Sequence, residues 1–324
     1  MPSRRGLLGA APCLLLPSAV GAAPETYPAR AISLVVPYAP GGVTDVVARL
    51  VAAPLARELG RPIVVENVTG AGGNIGSLRV AAAAPDGYTL LVTQTSTVTN
   101  PMLDRGAGFH PADSFTHVAY VGSLPLWLLV NPSKSPWRSV GELVAATRAS
   151  PGRLNYGSGG TGSASHLGVA YFEQLERLQV EHVPYRGMSA ALTDLLGGSV
   201  DFVLTPVAGS ESPVQSGSLK ALAVTGAHRL DAFPEVPAFA EAGYPAMDVA
   251  GWIGISGPRN LPGDVTLRLS AAVGKVLSEP QLWAALQERT LLVDHRAPER
   301  FTRYVRGEIE RWGQLITTAG IRSE

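Results

Sequence analysis

A run of hydroxyl side chains and glycines carries the clearest chemical signal in the chain. It reads Ser158-Gly159-Gly160-Thr161-Gly162-Ser163-Ala164-Ser165. Hydroxyl groups donate hydrogen bonds to oxygen atoms, and glycines let a ligand come close to backbone N–H groups. N-capping of the following helix would explain one or two of the four hydroxyls. The four hydroxyls and three glycines together indicate a ligand with several oxygen atoms.

A second candidate site is the turn Pro37-Tyr38-Ala39-Pro40-Gly41-Gly42-Val43-Thr44-Asp45. It follows an apolar strand pattern at residues 32–36 and precedes a helical pattern at residues 46–59. Glycines at a helix start present bare N–H groups, which suit a phosphate or a carboxylate. An ordinary tight strand–helix turn is the alternative. Recurrence of comparable turns along the chain favours a binding role.

Motifs for catalysis, cofactors and metals are missing from the sequence. Gly70-Ala71-Gly72-Gly73-Asn74-Ile75 fails the dinucleotide fingerprint because its sixth residue is isoleucine. No P-loop occurs, no serine lies in a nucleophile elbow, and the six histidines lack metal-ligand spacing. His166 alone stands out, since it lies at a helix start beside the serine-rich run. We therefore expect no catalytic residues, no cofactor and no metal.

Length and composition indicate a well-buried globular chain of about two domains. The chain has 324 residues, of which 46% are hydrophobic and 16% charged, and a domain is typically ~150 residues long. Lys+Arg and Asp+Glu are balanced at 26 each. The even balance predicts no basic face and hence no nucleic-acid partner.

The first 23 residues have the layout of a cleaved secretory signal peptide. A basic start with Arg4 and Arg5 precedes an apolar stretch and a small-residue end at Ala22-Ala23. Ser3-Arg4-Arg5-Gly6-Leu7-Leu8 also fits a twin-arginine signal, so both the twin-arginine and the general secretory route stay open. Cys13, the only cysteine, lies in this leader. The mature chain is expected to contain no disulfide and to act in the periplasm.

Strand and helix patterns alternate from Ile32 onward, which predicts an α/β fold. A second alternating series begins near Leu126, and a further strand with three helices closes the chain. We predict two lobes joined by more than one crossover. The predicted bounds are 1–23 for the signal peptide, 24–123 for the first part of lobe 1, 124–247 for lobe 2, and 248–324 for the segment that completes lobe 1.

Several motifs in order resemble the Bug-type periplasmic solute receptors of tripartite tricarboxylate transporters. They are Tyr27-Pro28-Ala29-Arg30, the Pro37–Asp45 turn, Gly70–Gly76, Ala84-Pro85-Asp86-Gly87-Tyr88-Thr89-Leu90, Leu154–Ser158, His182–Gly187, Leu192–Gly198 and Leu219–Thr225. The resemblance covers essentially the whole mature chain. It implies a two-lobed periplasmic-binding-protein fold (venus flytrap, type II-like) with a mainly parallel sheet in each lobe.

The resemblance also implies the function and the partners. The solute would be a dicarboxylate, tricarboxylate, acidic amino acid or aromatic carboxylate, handed to the membrane permease subunits of the transporter. We expect a monomer. Two alternatives stay open: a receptor of this fold recruited to sensing, and a secreted α/β enzyme whose site is assembled from His166, Arg186 and Asp201.

Carried over by position, the resemblance implies ligand contacts in both lobes. The expected site residues are Tyr38, Ala39, Gly41, Gly42, Thr44, Ser96 and Thr97 in lobe 1, and Ser158, Gly160, Thr161, Ser163, Ser165, His166 and Thr205 in lobe 2. One departure concerns Thr205-Pro206-Val207-Ala208, where the family carries a polar loop with Asp or Asn. Asp45 would repel a nearby anion, so we interpret it as structural or facing away, with a contact to an amine as the alternative.

Overall fold

The computed structural model describes residues 27–104, 106–185 and 187–321. The predicted signal peptide, Cys13 and Arg186 lie outside the described residues. The strands are β1 Ile32–Val36, β2 Ile63–Asn67, β3 Thr89–Gln94, β4 Phe115–Val130, β5 Asn155–Ser158, β6 Glu181–Pro184, β7 Phe202–Pro206, β8 Lys220–Val224, β9 Ala250–Pro258 and β10 Leu292–Arg296. The helices are α1 Val43–Leu59, α2 Asn74–Ala81, α3 Thr95–Leu103, α4 Val140–Ala149, α5 Ala164–Glu176, α6 Met188–Gly197, α7 Glu211–Gln215, α8 Gly263–Leu277, α9 Pro280–Gln287 and α10 Pro298–Thr318.

The first part of the sheet contains the amino-terminal α/β series. β1 pairs in parallel with β2 and β3, as their apolar runs and intervening helices predict. β9 then pairs antiparallel with β3, and the first part of β4 pairs antiparallel with β9 and β10. Side chains of β1, α1 and α8 form one core, in which Leu34, Val51 and Leu269 are each about 1% exposed. This core packs α1 and α8 against β1.

The second part of the sheet contains β5 to β8. β5 pairs in parallel with β6 and β7, whereas the second part of β4 pairs antiparallel with β7 and β8. Parallel pairing thus follows the alternating strand and helix patterns. The antiparallel pairs come from the long crossing strands, which makes the observed sheets more mixed than the sequence suggests.

β4 runs from one part of the sheet into the other. Its residues up to Pro125 pair with β9, and from Leu126 onward it pairs with β7. This strand is much longer than the segment Leu126–Val130 predicted from its apolar run. Gly122 and Pro125 interrupt the strand pattern, and neighbouring strands supply the pairing that the local sequence does not indicate. The predicted division at residues 123 and 124 stays a prediction.

α3 corrects one sequence expectation. The sequence predicts a polar run at Gln94–Asn100 and then an irregular stretch through Ser114, but residues 95–103 form a helix. Its start is fixed by a reciprocal capping arrangement between Gln94 and Thr97. The face with Thr95, Val98 and Thr99 is buried, so tertiary packing outweighs the weak helix propensity of these residues. The expectation of an irregular stretch was therefore wrong for residues 101–103, and the helical part at residues 95–100 was not predicted.

Candidate functional site

A cavity of about 400 Å³ lies where the two parts of the sheet meet. Five residues predicted as ligand contacts line it, namely Tyr38, Ser96, Thr161, Ser163 and Ser165. Residues that sequence reasoning missed complete the lining: Gly72, Gln94, Thr95, Asn100, Leu124, Gly159, Ala164, Gly187, Met188, Pro206, Gly251 and Trp252. Every described lining residue is uncharged.

The lobe-1 wall of the cavity is a connected network of neutral groups. The Tyr38 hydroxyl is hydrogen-bonded to the Ser96 hydroxyl, and Gln94 Nε2 donates to Ser96 Oγ at 3.0 Å. Thr44 Oγ1 in turn donates to Gln94 Oε1 at 2.6 Å. Burial raises the pKa of Tyr38 to about 12, so the phenol stays protonated. This wall offers hydroxyl and amide groups without net charge.

The start of α3 also faces the cavity. Thr97 Oγ1 accepts from the Gln94 backbone N–H at 3.2 Å, which assigns Thr97 to helix capping. Thr95 is 4% exposed, and its hydroxyl has no hydrogen-bond partner within the described residues. A buried hydroxyl without a partner costs free energy. Thr95 therefore has unused hydrogen-bonding capacity at the cavity wall.

The glycine turn before α1 is organised around Asp45. Gly41 N donates to Asp45 Oδ2 at 2.9 Å, while Arg49 and Asn67 Nδ2 also bind this carboxylate. Burial would raise the pKa of Asp45, but the hydrogen bonds from Arg49, Gly41 and Asn67 outweigh it and hold the pKa below its usual value. Asp45 therefore has a structural role, and the Gly41 N–H is not bare.

The other predicted residues of this turn lie outside the cavity lining. Ala39, Gly41 and Gly42 are exposed, whereas Thr44 is buried beneath the lobe-1 wall. Gly42 is the N-cap of α1 with φ −71° and no side-chain cap. An added Cβ at Gly209 in the second part of the chain would lie 3.9 Å from Val43. The turn therefore lies close to the other lobe.

The N–H groups of Gly159 and Gly160 are hydrogen-bonded within the lobe-2 loop. Gly159 N donates to Ser165 Oγ at 3.0 Å, and Gly160 N donates to Ser158 Oγ at 3.1 Å. Ser163 Oγ donates to Gly160 O at 2.6 Å. These glycine N–H groups are not available to a ligand, contrary to the bare-amide interpretation of the glycine-rich turns.

Ser163 also caps α5, since it accepts from His166 N at 3.3 Å. Thr161 differs, because its hydroxyl has no hydrogen-bond partner within residues 27–104, 106–185 and 187–321. Thr161 is thus the loop hydroxyl most available to a ligand.

Four predicted lobe-2 residues are not part of the cavity lining. Ser158 is fully buried and hydrogen-bonded to His182 Nε2 at 2.6 Å. His166 Nδ1 accepts from Gly162 N at 3.0 Å, and Gly160 is held by Ser158. Thr205 is buried as well, and its neighbour Pro206 lines the cavity instead.

The floor of the cavity is apolar. Leu124 comes from β4, Trp252 from β9 and Pro206 from β7. These strands are far apart in sequence, so no local spacing could have indicated that they meet. In the described part of the chain, no group of three or more His, Cys, Asp or Glu side chains is arranged to hold a metal ion. No described helix is long and apolar enough to cross a membrane.

A neutral, hydroxyl-lined cavity between two α/β lobes defines a solute-binding protein. The family model for the tripartite tricarboxylate transporter family receptor matches residues 47–321, and the chain belongs to this family.

Individual proteins support this assignment. BugT from Bordetella pertussis is 32% identical over 300 residues, covering 92% of this chain and 92% of BugT. An R. palustris protein solved with adipate is 33% identical, with a TM-score of 0.83 over 92% of this chain and 100% of that one. MatC from Rhodopseudomonas palustris, solved with bound malate, is 33% identical, with a TM-score of 0.79 over 90% of this chain and 100% of MatC.

The predicted Bug-type resemblance and the two-lobed periplasmic-binding-protein fold are thereby confirmed. The protein is a solute-binding receptor of this transporter family.

Proposed function

We propose that this receptor captures a small carboxylated solute in the periplasm and presents it to the membrane permease subunits of a tripartite transporter. The observation that carries the proposal is the uncharged cavity with hydroxyl groups on both walls. Neutral donors can hold a carboxylate without a counter-charge when helix N-termini also face it. The structural neighbours solved with adipate and with malate support this solute class.

Two helix starts lie at the cavity. Ser96 is in the first turn of α3, and Ser165 is in the first turn of α5. Because the positive end of each helix dipole is at its N-terminus, both walls favour negative charge. The apolar floor between them suits the hydrocarbon part of an organic acid. The arrangement fits an acid with oxygen atoms at its ends and carbon between them.

The described lining residues also indicate whether the ligand carries an amino group. An acidic amino acid carries an ammonium group, which pairs best with a carboxylate when it is buried. No described lining residue is Asp or Glu. We therefore rank carboxylates without an amino group above acidic amino acids.

The fourteen predicted site residues divide into three groups in this proposal. Tyr38, Ser96, Thr161, Ser163 and Ser165 contact the solute directly from the cavity walls. The exposed turn with Ala39, Gly41 and Gly42 contacts it when the lobes close. The remaining six residues, Thr44, Thr97, Ser158, Gly160, His166 and Thr205, support these surfaces from behind.

Binding without conversion is part of the proposal. Asp201, one residue of the alternative enzyme site, is tied to Asn155, whose backbone N donates to Asp201 Oδ2 at 2.9 Å. His166 is engaged with Gly162. Neither residue lines the solute cavity, so in this proposal neither contacts the solute directly.

The test is to identify the solute that co-purifies with the protein. Protein exported by its own host is purified quickly and denatured, and the released small molecules are analysed by mass spectrometry. We expect a carboxylic acid that rebinds to the refolded protein and is recovered unchanged. Release of a sugar or a nucleotide, or conversion of the acid on incubation, would contradict the proposal.

A further inference from the structure

Two histidines lie directly behind the ligand loop Ser158–Ser165. The rings of His166 and His182 are stacked, with centroids 4.0 Å apart and planes inclined by 7°. His182 also stacks on Tyr156, with the ring centroids 4.9 Å apart. Neither histidine lines the solute cavity. Both rings instead bond to the loop, through which they can affect the solute.

Each ring bonds to a different part of the loop. His166 Nδ1 lies 3.0 Å from Gly162 N, which is a donor, so Nδ1 must accept. Gly162 has φ +79°, a conformation that side chains other than glycine rarely adopt. The His166 bond therefore holds the loop at its tightest bend, next to Thr161.

The second ring bonds to the start of the loop. Ser158 Oγ already accepts from Gly160 N at 3.1 Å, and it lies 2.6 Å from His182 Nε2. Within the described residues the buried Ser158 hydroxyl has no other acceptor for its proton than His182 Nε2. A hydroxyl that donates nothing would leave a buried polar group unsatisfied. His182 Nε2 is therefore the acceptor, as His166 Nδ1 is.

We propose that His166 and His182 are positioning residues that keep the ligand loop in its binding shape as two neutral imidazoles of opposite tautomer. His166 carries its proton on Nε2, and His182 carries its proton on Nδ1. A protonated ring has no lone pair with which to accept, and two stacked cations would repel each other. This inference rests on the proposed function, because the loop shape matters for solute capture.

The tautomers can be read without any solute. In protein labelled with ¹⁵N at histidine and glycine, long-range ¹H–¹⁵N correlation distinguishes Nδ1–H from Nε2–H rings. We expect an Nε2–H ring for His166 and an Nδ1–H ring for His182, each assigned by loss of its signals in the single variants. A coupling between the Gly162 amide nitrogen and His166 Nδ1 should be visible across the hydrogen bond. Two rings of the same tautomer, or a protonated ring at neutral pH, would overturn the proposal.

Isosteric variants test the link to binding. Asn at position 166 can place an amide oxygen where Nδ1 lies, and Gln at position 182 can place one where Nε2 lies, whereas Leu at either position offers no acceptor. We expect His166→Leu and His182→Leu to weaken binding of the co-purifying acid about tenfold or more. His166→Asn and His182→Gln should remain within about threefold of the wild type.

The exposed His228 provides the matched control, and His228→Leu should bind as the wild type does. Equal affinities of the Leu and isosteric variants, all folded by circular dichroism, would overturn the positioning role. Should the Leu variants fail to fold, the tautomer assignment in the wild type still decides. If the wild type binds no carboxylate although the tautomers are as expected, the proposed function fails and the geometry of the ring pair stands.

Discussion

Trp252 Nε1 donates a hydrogen bond to Glu308 Oε2 at 3.2 Å, which ties the floor of the cavity to α10. The same oxygen accepts from Trp312 Nε1 at 2.8 Å. Glu308 is 2% exposed, and burial raises its pKa. One carboxyl group thus satisfies two buried indole N–H groups and fixes the orientation of a residue that lines the cavity.

Removing this acceptor should destabilise the protein. Glu308→Leu leaves two indole N–H groups without a partner, and each buried unsatisfied group costs about 1–3 kcal/mol. Glu308→Gln keeps an oxygen acceptor and should cost clearly less. Urea unfolding at pH 7 measures both values. Equal losses in the two variants would show that the hydrogen bonds contribute little.

Thr161 should contribute to affinity and not to folding. Its hydroxyl has no partner within the described residues, so Thr161→Val removes no described hydrogen bond. We expect the affinity for the co-purifying acid to fall about tenfold to a hundredfold, as for loss of a hydrogen bond to a charged group. Isothermal titration calorimetry gives the affinity, and thermal melting gives the stability.

Thr193→Val is the control for this change. Thr193 lies on α6 outside the cavity lining, and within the described residues its hydroxyl bonds only to the Ser189 backbone oxygen, at 3.0 Å. The affinity of Thr193→Val for the co-purifying acid should equal that of the wild type. An unchanged affinity in Thr161→Val would exclude Thr161 from the site.

Gly42 tests whether the exposed turn meets the solute. A Cβ there would lie 3.6 Å from Ala39 O, an ordinary contact, so Gly42→Val should fold with a loss of about 1 kcal/mol or less. We expect the added side chain to abolish or strongly weaken binding, because it occupies the space between the turn and the closing lobe. Gly263→Val, at another open helix start, is the control. Near-normal affinity in Gly42→Val would remove the turn from the site.

Stability should increase with pH between about pH 4.5 and pH 6.5. Burial lowers the pKa of His117 to about 4 and that of His166 to about 3, with His182 also acting on His166. Unfolding returns the pKa of each histidine to about 6.5, so the unfolded state binds more protons than the folded state in this pH range. The stabilisation is therefore full above pH 6.5 and is lost as the pH falls.

Removing one such histidine isolates the effect. His117→Asn can keep the bond that His117 Nδ1 makes to Ser256 Oγ, which is 3.0 Å long. Near pH 5, the free energy of unfolding of His117→Asn should change less steeply with pH than that of the wild type, by up to about 1.4 kcal/mol per pH unit. Urea unfolding at several pH values measures the slopes. Parallel slopes would contradict a neutral buried His117.

Glu173 should lower the stability of the protein as the pH rises, which is opposite to the effect of the histidines. Burial raises its pKa to about 7, so the folded state holds a proton that the unfolded state releases above about pH 4.5. Its ionisation therefore lowers stability as the pH rises towards 7. Glu173→Gln should stabilise the protein above pH 7 by about 1 kcal/mol, a value reduced for solvent screening of this partly exposed group. Stability of the variant equal to the wild type at pH 8 would contradict the raised pKa.

The sequence predicted those features that local patterns determine. The alternation of strand and helix patterns predicted the parallel pairing that β1 makes with β2 and β3. The last of the three helices predicted to close the chain is α10, Pro298–Thr318. In both cases the apolar periodicity and the turn residues favour the same element that packing in the folded protein favours.

The features that the sequence did not predict depend on distant contacts. α3 consists of residues with weak helix propensity and forms because one face packs into the core. The cavity floor joins Leu124 to Trp252, which no spacing could indicate. The glycine N–H groups looked bare because the sequence does not show that Asp45 and His166 bind them.

The central claim is that the neutral cavity binds a small carboxylate and leaves it unchanged. Its most direct test is thermal unfolding with a panel of four- to six-carbon dicarboxylates, citrate, aspartate, glutamate and aromatic acids, with sugars and nucleotides as negative controls. At a hundredfold excess over its dissociation constant, a ligand that binds only the native state adds about 2.7 kcal/mol. That corresponds to an increase in Tm of several degrees, at about 2–4 °C per kcal/mol. We predict such an increase with a carboxylate that lacks an amino group and is recovered intact. Stabilisation by sugars or nucleotides with none by carboxylates, or conversion of the stabilising acid, would contradict the account.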